Sequence, residues 1–461
     1  MPKVIPPSRP TQQHTRVNDA SRILKRFYVA ERQLMRAYAA WFIKTSHVET
    51  KFRLAEHLYL ATQNADRLRA RVLELRYPRR DVEKKFDPEV LAFTEALINA
   101  ETPEAFIAGV YGVALPALVR ELTAYLSRTD ALDDWPTVQV IRHVLTDTQY
   151  ALDTMPREAG HADWCAYLNG MLASAGGLSS LEPRAALLPD PAFANRPPFQ
   201  IPRTNTRDPR FRPALFHLPH ENKYDTAGQQ AWKHIEALDK RVAMQVWSAI
   251  SHFNEIWAAE IPASLIYDLS DQPWEFYLDF SRWAWDEARH SMMGYRAMQG
   301  WGWDIPALIP YGTALYNALG GLLPAQRLAL LHYYEEGLLR SGTKQTEIKI
   351  LESAGDAGSI QDMDYDWADE AIHVGYGFKW LRHLLGDDDA GQERLKALTD
   401  EAREIMAAYI RAHKDQPEAQ LALYFERLYP VIEQMTQTIP DDGLNVQWSP
   451  VVADETVLEK L

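Results

Sequence analysis

Along most of the chain apolar residues recur every three or four positions, in long segments rich in Ala, Leu, Glu, Arg and Trp. That spacing turns one side of a helix toward a core. No stretch alternates apolar and polar residues as a half-buried strand would, and no two-residue turn sits between β-branched runs. The pattern predicts an all-α protein. It breaks between Glu182 and His220, where Pro183, Pro189, Pro191, Pro197, Pro198, Pro202, Pro209, Pro213 and Pro219 fall. Prolines at that density remove backbone donors and forbid helix interiors, so this segment reads as an extended connector or wrapping arm. The predicted organisation is an N-terminal helical domain over 17–175, a connector over 176–227, a second helical domain over 228–415, and a tail over 416–461 carrying a further helix.

Within the second domain the periodicity resolves four helical stretches, near 232–266, 273–299, 325–354 and 360–386. Short breaks, YDLSDQP and SAGDAGS, join the first to the second and the third to the fourth. A longer connection with Gly300, Gly302, Pro306 and Pro310 joins the second to the third. Two hairpins with one long crossover is the connectivity of a ferritin-like four-helix bundle.

Two short motifs fall on these helices. The second carries Asp286-Glu287-Ala288-Arg289-His290 and the fourth Asp369-Glu370-Ala371-Ile372-His373. Glu and His three apart share a helix face and can grip one ion together. A solvated face is the ordinary reading of one such motif, but two copies on the second and fourth helices are hard to obtain by chance. A carboxylate-bridged metal pair also needs a Glu from each of the other two helices. Glu255 lies 32 residues before Glu287, and Glu336 lies 34 before Glu370. In the first hairpin this leaves a height mismatch of only ~3 Å at ~1.5 Å per residue. The second hairpin fits less well, because its turn near residue 356 stands about 20 residues after Glu336 and about 14 before Glu370. Glu335 and Glu347 compete with Glu336 for that role. Glu260 competes with Glu255, since it fits the stripe Val246, Ile250, Phe253, Trp257 better but lies nearer the turn.

These residues resemble the mark of the di-iron carboxylate oxidases and oxygenases of the ferritin-like superfamily: a Glu about thirty residues upstream of Asp-Glu-x-Arg-His, in two copies. The second copy departs by carrying Ile372 where Arg289 stands in the first. The resemblance covers about 150 residues and identifies a superfamily rather than a characterised family. It implies that Glu255, Glu287, His290, Glu336, Glu370 and His373 are catalytic metal ligands, with Glu287 and Glu370 bridging. It further implies that Asp286 and Asp369 sit behind the histidines and fix their tautomer, with Arg289 as an ion-pair partner. The implied cofactor is two iron ions, or an iron–manganese or manganese pair, a choice the oxygen and nitrogen donors suit better than zinc or copper.

Composition narrows the remaining classes. A formal charge of −14, without a block of Lys and Arg, argues against nucleic acid as the partner. The lone Cys165 excludes an intrachain disulfide and a Cys-ligated zinc or iron–sulfur site. No apolar run approaches the ~20 residues that span a bilayer, and the opening MPKVIPPSRP lacks a signal-peptide core. A soluble, cytoplasmic protein with no membrane partner is expected. Nine of the 14 tryptophans fall between Trp247 and Trp380, several near the motifs, and read as core packing or as carriers of electrons.

Spacing also suggests a silent duplicate in the N-terminal half. Glu31 precedes Gln63 by 32 residues, the Glu255–Glu287 interval, and the position of His290 then falls on Asp66. Glu121 and the stretch Arg142–Asp147 would form the other half, with no Glu-x-x-His and hence no metal.

The function expected from the resemblance is an O2-dependent non-haem di-iron (or Fe/Mn) oxidoreductase acting on a small organic substrate. No flavin or nicotinamide fingerprint is evident, so electrons would come from a separate reductase or ferredoxin. The expected partners are O2, the small-molecule substrate and, in a homodimer, a second copy of the chain. The competing readings are a ferroxidase, which predicts a cage-like oligomer with many irons per chain, and a helical scaffold whose metal is structural or lost.

Overall fold

The computed structural model describes residues 15–156, 160–182, 191–194 and 196–437; of residues 191, 194, 336 and 338–341 the backbone alone is described. Among the described residues every regular element is helical, apart from an isolated parallel bridge between Pro213 and Tyr311. The chain is all-α.

Contacts divide the chain into two units, one of residues 1–41 and 56–200, the other of residues 42–55 and 201–461. The division therefore falls at the end of the Pro-rich segment, and residues 42–55 group with the second unit. The first unit contains most of helices α1 (Val17–Lys44) and α2 (Val48–Glu74), then α3 (Pro88–Ile98), α4 (Leu115–Arg128), α5 (Trp135–Thr154) and α6 (Ala162–Ser174). Asp87 caps α3 by accepting from the Val90 N–H, with Pro88 at its first position. The run Pro103–Arg128, which ends with α4, is long and apolar enough to cross a membrane despite the expectation that no segment is. Most of it is buried inside the protein, as in any core helix.

In the second unit the arm 201–218 runs without regular structure. It is packed down by the buried side chains of Ile201, Phe211, Leu215, Phe216 and Leu218. The Leu215 carbonyl accepts from the Thr313 and Ala314 N–H groups, and its N–H donates to Glu418 O. Wrapping, rather than linking, describes this part of the connector. Helix α7 (Thr226–Glu236) follows.

The first predicted stretch, 232–266, is not one helix. It comprises the end of α7, then α8 (Lys240–Asn254) and α9 (Ile256–Asp268), the last two meeting at Glu255. The cause is local. The Asn254 amide donates to Ile250 O and Pro310 O, while its side-chain oxygen accepts from the Gly312 N–H, so it competes with the helix ladder. The chain tightens there, with the Glu255 N–H bonding back only three residues to His252 O. The second stretch is the unbroken α10 (Trp274–Gly300). The third is broken too, into α11 (Pro324–Ser341) and α12 (Thr343–Ala354), around Gly342 in a left-handed conformation (φ 69°) that a side chain would strain. The fourth is α13 (Ala357–Leu385), capped by Asp356 accepting from the Ser359 N–H. Helices α14 (Asp389–His413) and α15 (Ala422–Thr436) complete the unit. The tail from 438 onward lies outside the described residues.

These segments make four rods, α8–α9, α10, α11–α12 and α13. Helix α10 packs on α8, α9 and α13, α13 packs on α11 and α12, and the two broken rods meet through α8 with α12 and α9 with α11. Helix α14 covers α11, and α15 covers α7. The innermost stripe of α10 reads Trp283, Asp286, Glu287, His290, Ser291 and Gly294, and that of α13 reads Asp366, Asp369, Glu370, His373 and Gly377, all buried at helical spacing. Acid and imidazole thus occupy positions that a typical pair of core helices fills with Leu and Ile.

Candidate metal centre

The break at Glu255 turns its carboxylate inward from rod one, and α10 and α13 supply the two motifs. Glu287, His290, Glu370 and His373 are nearly inaccessible, and the Glu255 side chain is 19% exposed. His290 Nδ1 lies 3.3 Å from Glu255 Oε2, 3.4 Å from Asp366 Oδ1, 3.7 Å from Glu287 Oε2 and 3.9 Å from Glu370 Oε1. His373 Nδ1 lies 3.1 Å from Glu287 Oε1 and 3.9 Å from Glu370 Oε1.

Ligand-type atoms gather into overlapping sets, each within 4.8 Å. One is Glu287, Glu335, Glu370 and His373; others are Glu255, Glu287 and His290, and His290, Asp366 and Glu370. Glu287 and Glu370 belong to a set around each histidine, as bridging carboxylates must. Five of the six expected ligands therefore converge. Glu336 lies on α11, but its side chain is outside the described residues; its neighbour Glu335, the competitor, is the residue whose carboxylate joins the group. Glu347 is buried on α12, and burial raises its pKa to about 7. Glu260 is committed elsewhere: its two oxygens meet Lys51 Nζ at 2.5 Å and the Asn205 amide at 2.6 Å.

The aspartates act across the bundle. His290 Nε2 lies 3.4 Å from Asp369 Oδ2 and His373 Nε2 lies 3.4 Å from Asp286 Oδ2, so each motif's Asp backs the other motif's His. This holds both Nδ1 atoms toward the centre. Arg289 bonds Asp286 at 2.9 Å and also bonds Asp369. The Arg missing at Ile372, which is exposed, is replaced from another position: Arg282 reaches Asp286 at 2.5 Å and Asp369 at 3.0 Å. Two guanidiniums thus clamp two aspartates, and the pair is symmetric without a second Arg in the motif.

Three residues at the site, Trp283, Asp366 and His252, are not among the expected ligands or their partners. Trp283, fully buried, stacks on His373 and donates from Nε1 to Glu335 Oε1 at 2.9 Å. Asp366, one helical turn before Glu370, is fully buried and accepts from Lys344. His252 Nε2 stands 3.3 Å from the same carboxylate. Gly377 is pressed against His332, whereas Gly375 faces open space.

The electrostatics describe a site short of positive charge. Burial drives the Glu370 pKa up to about 8, helped by the Glu287 charge, and drives Glu335 up well above the carboxylate range. Glu287 is also pushed up by burial, but two facing imidazoles win and hold it at about 2. Burial alone would depress His373, yet Asp286, Glu287 and Glu370 raise it to about 9. Glu255 Oε2, His290 Nδ1, Glu335 Oε2, Asp366 Oδ1, Glu370 Oε2 and His373 Nδ1 are all buried without a hydrogen-bond partner among the described residues. Orphaned acceptors at such density are costly unless a cation satisfies them.

The N-terminal unit has a buried acid in the expected place but a different partner. Glu31 is 3% exposed and accepts from the Asn64 amide at 3.4 Å, one residue beyond Gln63. Glu121 accepts from the Ser179 hydroxyl, and His143 bonds its own helix at Gln139 O.

A family profile described as a protein of unknown function (DUF455) matches residues 202–420, the span that contains all four rods. Comparison with curated proteins gives no match, and comparison with solved structures gives none.

Proposed function

We propose that the four rods form a ferritin-like bundle holding two transition-metal ions, and that the chain is an O2-dependent non-haem oxidoreductase acting on a small organic substrate. The observation that carries this reading is the set of six buried, unpartnered Nδ1, Oε and Oδ atoms converging from all four rods. Glu287, Glu335, Glu370 and His373 would hold one ion, and Glu255, His290 and Asp366 the other, with Glu287 and Glu370 reaching both. Oxygen and nitrogen donors without sulfur suit iron or manganese. When bound, such a pair supplies O2 activation and redox capacity, with electrons from a separate reductase or ferredoxin.

The protein's own part is orientation. Asp286 and Asp369 fix the imidazole tautomers, Arg282 and Arg289 ion-pair with those aspartates and hold them in place, and Trp283 bonds one oxygen of Glu335 while its other oxygen is left unpaired among the described residues. Buried Trp283 stacks on His373 and packs against buried Phe280, lining that side of the site with apolar surface.

Metal analysis of the purified chain is expected to give about two ions per chain in a small oligomer. Protein loaded anaerobically with Fe(II) is expected to develop oxidised-iron absorption in air. Many irons per chain in a large cage would favour iron storage instead, and no bound metal with intact folding would favour a scaffold.

A further inference from the structure

The acid cluster already contains a cation. Lys344 is buried, two residues past the left-handed turn at Gly342 that opens α12. Its ammonium donates to Asp366 Oδ2, and the charges of Glu255, Glu370 and Glu347 also bear on it, favouring the charged form against burial. Asp366, which takes the ammonium directly, and Glu255 belong to the Glu255–His290–Asp366 side alone, whereas Glu370 faces both sides. On the other side, around Glu335 and His373, the neighbour among the described residues is Trp283, a neutral donor. The two halves of the centre are therefore unlike in charge although alike in ligand type. Five carboxylates (Glu255, Glu287, Glu335, Asp366, Glu370) against one ammonium leave four net negative charges, which two divalent ions balance.

We propose that Lys344 is a resident cation that makes the two metal positions unequal. The Glu287–Glu335–Glu370–His373 position fills first and tightly, and the Glu255–His290–Asp366 position takes its ion weakly and exchangeably. The physical reason is direct. An ammonium in contact with Asp366 already uses one of its oxygens and repels an incoming divalent ion through a medium that screens poorly. The inference rests on the metal-pair reading, and deepens it by assigning the order and exchangeability of loading.

Titration of the metal-free full chain with Mn(II), followed by calorimetry and electron paramagnetic resonance, tests it. The wild type is expected to bind in two steps whose dissociation constants differ by at least about tenfold. The first equivalent should give the signal of an isolated Mn(II) ion. His373→Ala should abolish the tight step and His290→Ala the weak one. Lys344→Gln should tighten the second step until the two merge, with folding of the metal-free variant checked by thermal melting. Lys344→Arg, which keeps the charge, should keep the gap and serves if the Gln variant fails to fold. Two equal or cooperative steps in the wild type, an unchanged gap in Lys344→Gln, or loss of the tight step in His290→Ala would each overturn the proposal. A wild type that binds no Mn(II) at all would overturn the metal-pair reading itself, a result distinct from two equal steps.

Discussion

Glu335 and Glu336 stand one helical step apart, and a rotation of about 100° per residue sends neighbours to different faces. Glu335 accepts from Trp283 and reaches the Glu287–Glu370–His373 group, so its carboxylate belongs to the inner face of α11. Replacing it by Gln keeps the shape and the Trp283 bond but removes an anionic donor. Glu335→Gln is expected to lower metal content by about one ion per chain, with the fold retained. Full occupancy in that variant would dismiss Glu335 as a ligand. The motif residues themselves were legible because Glu-x-x-His repeats carry their own geometry. Asp366 was not, since in QDMDYDWADE it looks like one more acid on a solvated helix. Lys344 was equally hidden: a lysine on an amphipathic helix ordinarily snorkels to water, whereas this one is buried against Asp366.

At the scale of elements, the height of the site depends on how closely α10 can approach α8. Gly294 sets that distance. A Cβ there would stand 2.3 Å from Ala249 O and 2.5 Å from the Phe253 N, backbone atoms that cannot rotate aside. Gly294→Ala is therefore expected to cost about 3 kcal/mol by forcing the helices apart. Its Tm should fall by roughly 5–10 °C, with weakened metal retention because Glu255 follows immediately on α8. A Tm within a degree of wild type would show that the helices part freely. The second hairpin also carries a break that periodicity did not register, the left-handed Gly342 between α11 and α12. The break at Glu255 left no trace either. It arises from Asn254 bonding Pro310 and Gly312, partners more than fifty residues away that periodicity along the chain does not register.

At the scale of the whole molecule, the all-α class and a change of character near residue 200 follow from helical periodicity and proline density. The grouping of residues 42–55 with the second unit does not, because α1 and α2 run through it without any change in pattern. The two units also differ in how they carry buried acid, and pH separates them. Among the described residues no cation stands beside Glu31: burial raises its pKa to about 8, the Asn64 amide lowers it only in part, and the Asp147 charge raises it further. Its ordinary value is 4.5, so the folded unit holds the proton more tightly than the unfolded chain does. Stability is therefore greatest while the group is protonated in both states. It declines as pH rises above 4.5, and the loss is complete once pH passes the folded value near 8. The cost at pH 8 is roughly 3–5 kcal/mol in this unit. Glu31→Gln removes the titration while keeping an acceptor for Asn64, so it should stabilise the first unit at pH 8 and change little near pH 5. Hydrogen exchange in peptides from α1, α2 and α5, compared at the two pH values, reads this locally. Parallel protection in wild type and variant at both values would mean that Glu31 ionises without cost, and that the first unit stabilises its buried carboxylate by some other group.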